Sequence, residues 1–264
     1  MRRANDPNQA SVGGRAPSNS LRDVYERRAS EEYAAPISPN RMLDRKFAVL
    51  TDELRRHLPV PALLDAGCGD GRYIAALPEL GPLPPRIVGV DIAERMLETA
   101  RLAAAQADVD AEFVRANLEE LPFESGEFDL VLSVQVIEHL LDPAGGVHEL
   151  GRVVAPGGVV VLSTDNRRRW ITNTLNGPRW LVLRLLGKRR ARVRIDFPHR
   201  EFTRVELVRL VQEAGLAIED VRTFRFSVVG APPWLTRIFG RIDQVLPDAG
   251  IGDVLLVVAR RPLP

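Results

Sequence analysis

Residues 62–73 limit what this chain can fold into more than any other stretch. The apolar run Ala62-Leu63-Leu64 ends in Asp65, the turn Gly67-Cys68-Gly69-Asp70-Gly71 follows, and Arg72 and Tyr73 open a segment of helical composition. Strand, glycine turn, helix is the order in which a doubly wound α/β sheet builds a nucleotide site. Glycine is needed in such a turn because a side chain would occupy the space of the ligand. The spacing also separates kinds of ligand. A dinucleotide turn carries GxGxxG. Here the third glycine comes one residue early, at Gly71, and Arg72 stands where the dinucleotide glycine belongs.

The rest of the chain repeats the strand-and-turn theme in order. Ile87-Val88-Gly89-Val90 runs into Asp91, an acid placed at a strand end where it can accept hydrogen bonds from ribose hydroxyls. A helix-forming stretch follows, from Ala93 to Ala105. Glu112 to Leu118 reads as a third strand. Leu121-Pro122-Phe123 reads as a turn, and Phe128-Asp129-Leu130-Val131-Leu132-Ser133 as a fourth strand. Ala155-Pro156-Gly157-Gly158 then leads into the strand Val159 to Thr164.

Taken together, these motifs resemble the class I S-adenosylmethionine-dependent methyltransferases over roughly residues 62–165. The resemblance implies a Rossmann-like, doubly wound α/β fold. Its sheet would have seven strands with the last antiparallel, N-terminal helices, and a cap insertion after the fifth strand. It implies S-adenosylmethionine as cofactor. Gly67, Cys68, Gly69 and Gly71 would shape the cofactor loop, with Asp65 near the methionine amino end. Asp91 would hold the ribose, Ile92 would pack on adenine, and Asn117 and Leu118 would meet the adenine edge. Ser133 and Gln135 would line the methionine side or the acceptor entrance. The family has Asp where this chain has Asn117. An amide oxygen can still accept from the adenine amino group, without the charge.

Outside the motifs, composition assigns the remaining segments. The first 20 residues are polar and rich in Gly, Ser, Asn and Pro, so residues 1–20 are expected to be a disordered tail with no secretory signal. No run approaches the ~18 apolar residues of a membrane span, and a cytoplasmic location is expected. The methyltransferase domain would occupy 21–264, with its core at 62–165, a cap insertion at about 166–200 and C-terminal helices and strands from 201. Leu43, Phe47, Leu50, Leu54 and Leu58 lie on one face of a helix closed by Pro59. Upstream, Tyr25 to Tyr33 reads either as a surface helix or, by the resemblance, as the segment that folds over the cofactor. Thr203 and Glu206 form a capping box. Leu216 to Phe226 and Val254 to Ala259 read as the last two strands. Trp234, Leu235, Ile238, Phe239, Ile242, Val245 and Leu246 repeat at helical spacing. The single cysteine, Cys68, excludes an internal disulfide and reads as a small residue in a tight turn.

Methyl transfer to a hydroxyl needs a base, and histidine suits that near neutral pH. Of four histidines, His57 and His148 fall on helices as surface or packing residues. His139 follows the fourth strand in Gln135-Val136-Ile137-Glu138-His139, and His199 follows the insertion in His199-Arg200-Glu201-Phe202-Thr203. Glu-His after the fourth strand with a later His-x-x-Phe-Thr resembles ubiquinone-pathway-type O-methyltransferases. His139, His199 and Glu138 are therefore the catalytic candidates, with Glu138-His139 alternatively a pair that only supports the loop. In some relatives a Glu-x-x-Glu-His segment and another His bind a divalent metal. Gln135 replaces the first Glu here, which weakens a hard-cation site, and no metal is expected.

Residues 167–194 hold ten Lys/Arg and no Asp or Glu, leaving 26 basic against 35 acidic residues elsewhere, a formal charge of −9. Arg167-Arg168-Arg169-Trp170 and the Trp180 to Leu186 run have the composition of an interfacial segment. It reads either as a cap over the active site or as a surface that contacts a membrane or a lipid-linked or phosphorylated acceptor. The function expected is therefore methyl transfer to a small-molecule or lipid-like acceptor, at oxygen. The alternatives are an RNA or protein methyltransferase using 167–194, or a noncatalytic protein that binds the cofactor. No nucleic-acid-binding module accompanies the basic segment, so a nucleic-acid partner is not expected.

Overall fold

Hydrophobic alternation and glycine turns resolve into a seven-stranded sheet in the computed structural model, which describes residues 45–168, 199–224 and 252–264 with Asp23, Tyr25 and Glu26. The strands are β1 (Ala62–Ala66), β2 (Arg86–Asp91), β3 (Glu112–Arg115), β4 (Phe128–Val134), β5 (Val154–Asp165), β6 (Ala217–Phe224) and β7 (Val254–Arg260). The helices are α1 (Arg45–His57), α2 (Arg72–Leu80), α3 (Glu94–Gln106), α4 (Pro143–Val153) and α5 (Arg204–Glu213). The order across the sheet is β3-β2-β1-β4-β5-β7-β6. Strands β1 to β5 pair in parallel, and β7 runs antiparallel to both β5 and β6. This is the expected Rossmann-like, seven-stranded arrangement with an antiparallel last strand.

Parallel strands buried on both faces need near-continuous apolar runs, and β1 is buried at all five positions. Alternate residues feed two cores. Leu64, Val88, Val131, Val160 and Val257 pack with Leu150 of α4 and Leu207 and Val211 of α5. Leu63, Ile87, Leu130, Val161 and Val258 pack on the other face with Leu50 and Leu54 of α1, Ile74 and Leu77 of α2, and Leu97 of α3. Helix α1 is also tied to the far edge of the sheet. Glu53, nearly buried, meets Arg56, His57 and Arg222 of β6. Burial alone would raise its pKa, but the His57 hydrogen bond and the two guanidiniums hold it below the usual carboxylate range.

The chain crosses from β3 at one edge to β4 on the other side of β1. That reversal opens a crevice beyond the carboxyl ends of β1 and β4, where open α/β sheets bind ligands. Strand β3 is shorter than expected. Ala116 N donates to Asp91 O, and the chain leaves the sheet through a bridge between Asn117 and Glu120. Helix α5 carries the expected capping box, with Thr203 and Glu206 bonded in both directions.

Both stems of the insertion are tied to β5. Asn166 and Phe202 form a parallel bridge. Arg167 N donates to Phe202 O at 2.9 Å, and Phe202 N to Asp165 O at 3.1 Å. Asn166, buried, donates through Nδ2 to Gly252 O and accepts through Oδ1 from Arg168 N. The 1–20 tail, residues 169–198 of the insertion and the Trp234–Leu246 stretch lie outside the described residues.

Gly71 has φ +74°, and a Cβ there would lie 2.8 Å from Ala100 Cα, where α2 meets α3. Gly215 has φ +78° and open space around it. Gly71→Ala should therefore cost about 2–4 kcal/mol in urea unfolding, and Gly215→Ala only about 1–2 kcal/mol. Equal losses would mean that the α2–α3 approach is not tight.

Candidate functional site

The turn after β1 is held over the end of β2. Gly67 N and Cys68 N both donate to Val90 O, at 2.7 and 2.8 Å. Asp91 Oδ2 accepts from Gly69 N and its Oδ1 from Ala93 N, each at 3.0 Å. One carboxylate thus fixes the glycine turn to the start of α3. At Gly67 a Cβ would lie 2.3 Å from Val136 Cγ2, so this position has no room for a side chain.

A cleft of about 280 Å³ opens above this turn. Gly67, Cys68, Gly69 and Asp91 line its floor. Ile92, Asn117 and Leu118 line one end, and Gln135 and His139 another side. The remaining candidates lie behind this lining. Asp65 is 1% exposed and sits beneath the turn. Gly71 packs on α3. Ser133 is fully buried and donates to Ala66 O, which turns it into the sheet and away from the cleft. Glu138 is 1% exposed, and Thr164 Oγ1 donates to its Oε2 at 2.8 Å. His199 stands next to His139, with ring centroids 5.2 Å apart. His57 bonds Glu53, far from this group in the chain.

Sequence reasoning missed several lining residues. Lys46 of α1 lines the cleft, and its Nζ lies 3.4 Å from Gln135 Oε1. Met96 lines it too, as does Tyr25 of the segment that the resemblance brought over the cofactor. Tyr25 packs with Ala93 and Met96 and meets the His139 ring edge-on at 6.1 Å. Its neighbour Glu26 accepts from Glu94 N at 2.8 Å, at the start of α3, and pairs with Arg115. Of the two readings open for the Tyr25 segment, this geometry agrees with the one that brings it over the cleft. Gln135 has a left-handed backbone (φ +56°), which is uncommon for a side-chain-bearing residue and concentrates at functional sites.

The floor of the cleft is acidic. Burial, with Asp91 and Asp70 close by, pushes Asp65 up from its ordinary 3.8 to about 8. Arg72 offsets this only in part, because Asp70 engages it twice, at 2.9 and 2.6 Å. Burial raises Asp91 to about 6 against the pull of its backbone donors. Burial raises Glu138 to about 8 despite hydrogen bonds from its own backbone and from Thr164. The Cys68 thiol is pushed well above its usual value by burial and then by the neighbouring carboxylates, so it is no nucleophile.

These features fit a ligand with a nucleoside at one end and a cation at the other. Asp65 Oδ2 is buried with no hydrogen-bond partner among the described residues, as is Gln135 Nε2. The first calls for a positive group and the second for an acceptor oxygen. Asn117 Oδ1 already accepts from Glu119 N at 3.1 Å, which leaves one lone pair for a base. Among the described residues, no group of three or more His, Cys, Asp and Glu side chains is arranged to hold a metal ion, and no helix is long and apolar enough to cross a membrane.

The fold and cleft together define a Rossmann-like sheet with a site for a charged nucleoside. A family model described as a methyltransferase domain matches residues 64–162. The ubiquinone biosynthesis O-methyltransferase of Methylocella silvestris is 36% identical over 130 residues, 48% of this chain and 50% of that protein. The chain thus spans about half the length of that relative. The protein of the same name from Acinetobacter baylyi is 32% identical over 187 residues, 70% of this chain and 75% of that protein. Among solved structures, an S-adenosylmethionine-dependent methyltransferase from Mesorhizobium loti matches with a TM-score of 0.55 at 24% identity, covering 80% of this chain and 96% of that one. The cyclase SpnF matches with a TM-score of 0.58 at 18% identity, covering 82% and 81%. The chain belongs to the class I S-adenosylmethionine-dependent methyltransferases, and S-adenosylmethionine is its cofactor.

Asp65 gives a pH test of this site. Its folded pKa lies above its unfolded one, so its contribution to stability is fully present below about pH 4 and is lost as pH rises through 8. Asp65→Asn should remove that loss. The ligand-free variant should melt higher than wild type at pH 8.5, with the gap closing toward pH 5. It should also bind the cofactor about 10- to 100-fold more weakly. Parallel melting curves across that range would count against a protonated Asp65.

Proposed function

We propose that this protein transfers a methyl group to a hydroxyl oxygen of a small-molecule or lipid-like acceptor, with His139 as the base. One observation carries the reading: His139 lines the same cleft as the glycine turn and Asp91, at the end of β4 where an acceptor would enter. The names of the relatives at 32–36% identity support oxygen as the atom methylated.

When bound, the cofactor supplies a methyl group already activated on a sulfonium, so the protein's work is to position, exclude water and remove a proton. Asp65, beneath the turn, would offset the charge of the amino end. Lys46 and the Gln135 amide are two donors suited to the carboxylate. Asp91 accepts from the ribose hydroxyls, and Ile92 and Met96 pack against the base. Asn117 and the Leu118 backbone meet its edge. Tyr25 covers the cleft beside His139. His139 then takes the hydroxyl proton as the oxygen attacks.

On the same reading residues 21–264 form one methyltransferase domain in the cytoplasm. The basic composition of 167–194 supports peripheral contact with an anionic membrane or acceptor. A second reading is a protein that binds the cofactor without transferring its methyl group, since one fold hosts many chemistries.

Calorimetry with S-adenosylmethionine and S-adenosylhomocysteine, followed by transfer of labelled methyl to hydroxylated aromatic and lipid acceptors, tests both. His139→Ala should lower kcat about 10²- to 10⁴-fold and leave cofactor affinity within twofold. Lys46→Ala should do the reverse, weakening the cofactor about 10-fold or more. Binding without transfer to any acceptor would favour the second reading, and no binding would defeat both.

A further inference from the structure

Strand β5 ends in Thr164 and Asp165, neither of which the proposed reaction has used. Thr164, fully buried, donates to Glu138. Arg200 N donates to Glu138 O at 2.8 Å. The second bond joins the turn that carries His139 to the segment that carries His199, and the first ties that turn to β5. The backbone of Asp165 is fixed on one side by Phe202 N and lies in register with Val254 on the other. From that fixed position its Oδ2 lies 3.5 Å from His199 Nε2. The His199 and His139 rings are 5.2 Å apart at 41°. His139 lines the cleft, whereas His199 lies outside the lining with its side chain 26% exposed. From the cleft outward the order is therefore His139, then His199 with Asp165 beside it.

We propose that His199 is the outlet for the proton that His139 takes, and that Asp165 is a positioning residue that fixes the tautomer of His199. A carboxylate beside Nε2 favours the hydrogen on that nitrogen and leaves Nδ1 as an acceptor. The inference rests on the reading of His139 as the base. The acceptor O–H bond breaks, and its electron pair forms the new bond to the methyl carbon. The proton passes to one ring nitrogen of His139. The other ring nitrogen passes a proton to Nδ1 of His199, directly or through one water, and His199 releases its Nε2 proton to solvent. Each imidazole gains one proton and gives one, and proton exchange with water then returns both rings to their starting tautomers.

The test uses the full chain, treated with EDTA, with thermal unfolding as a check on folding. Imidazole ¹⁵N shifts read the tautomer of His199 without cofactor or acceptor. Wild type should show hydrogen on Nε2, and Asp165→Ala a mixture. Asp165→Ala and His199→Ala should each lower kcat about 10- to 100-fold with cofactor affinity unchanged. Asp165→Glu should recover part of the loss, and added imidazole should restore His199→Ala. If His139→Ala cripples turnover while Asp165→Ala and His199→Ala stay within twofold of wild type, this proposal fails and the base assignment stands. If His139→Ala has no effect, the base assignment fails and the outlet with it. An unchanged His199 tautomer in Asp165→Ala overturns the role of Asp165 whatever the kinetics show. Loss of wild-type turnover under EDTA would mean that the imidazoles bind metal, and would also overturn it.

Discussion

The carboxylate of Asp91 ties the glycine turn to the start of α3. One oxygen takes the amide of Gly69 and the other the amide of Ala93. The glycine turn therefore has one conformation relative to α3, and the cleft has a floor before any ligand arrives. Backbone amides that would otherwise be buried unpaired are satisfied by this one group. The crevice above it exists because the chain order reverses between β1 and β4.

That preorganisation carries an electrostatic burden. Asp65, Asp70 and Asp91 cluster around one turn, and only Asp70 has an arginine of its own. Burial, and to a lesser degree the neighbouring acids, raises two of these carboxyl groups. On the proposed reading, a cationic ligand end would offset that charge. A site with a built-in counterion would be more stable empty and would bind less tightly.

What the sequence made legible was local. The GxGxG turn and Asp91 act through neighbours in the chain or across one strand pair, and the succession of strands along the chain followed from motif order. Strand β3 fell short of its pattern because Asn117 caps Glu119 through its side chain, a turn that apolar periodicity does not reveal. Ser133 has the composition of a site residue, yet strand alternation turns it inward to Ala66. Lys46 and Asp165 were invisible for a different reason. Lys46 reaches a residue 89 positions away because α1 lies across the sheet, and Asp165 matters only through a histidine beyond the insertion. No periodicity encodes such meetings.

The bridge between Asn166 and Phe202 has a consequence for how such a protein can change. The chain leaves the domain at Arg168 and returns at His199, and both stems are tied to β5 by their own hydrogen bonds. These bonds close the two stems into a neck, and a chain segment entered through such a neck is anchored at its base. Its length and composition can drift or be exchanged without re-forming the sheet, and loop-closure entropy grows only slowly with such insertions. The neck fixes the return stem and so the place to which it delivers His199.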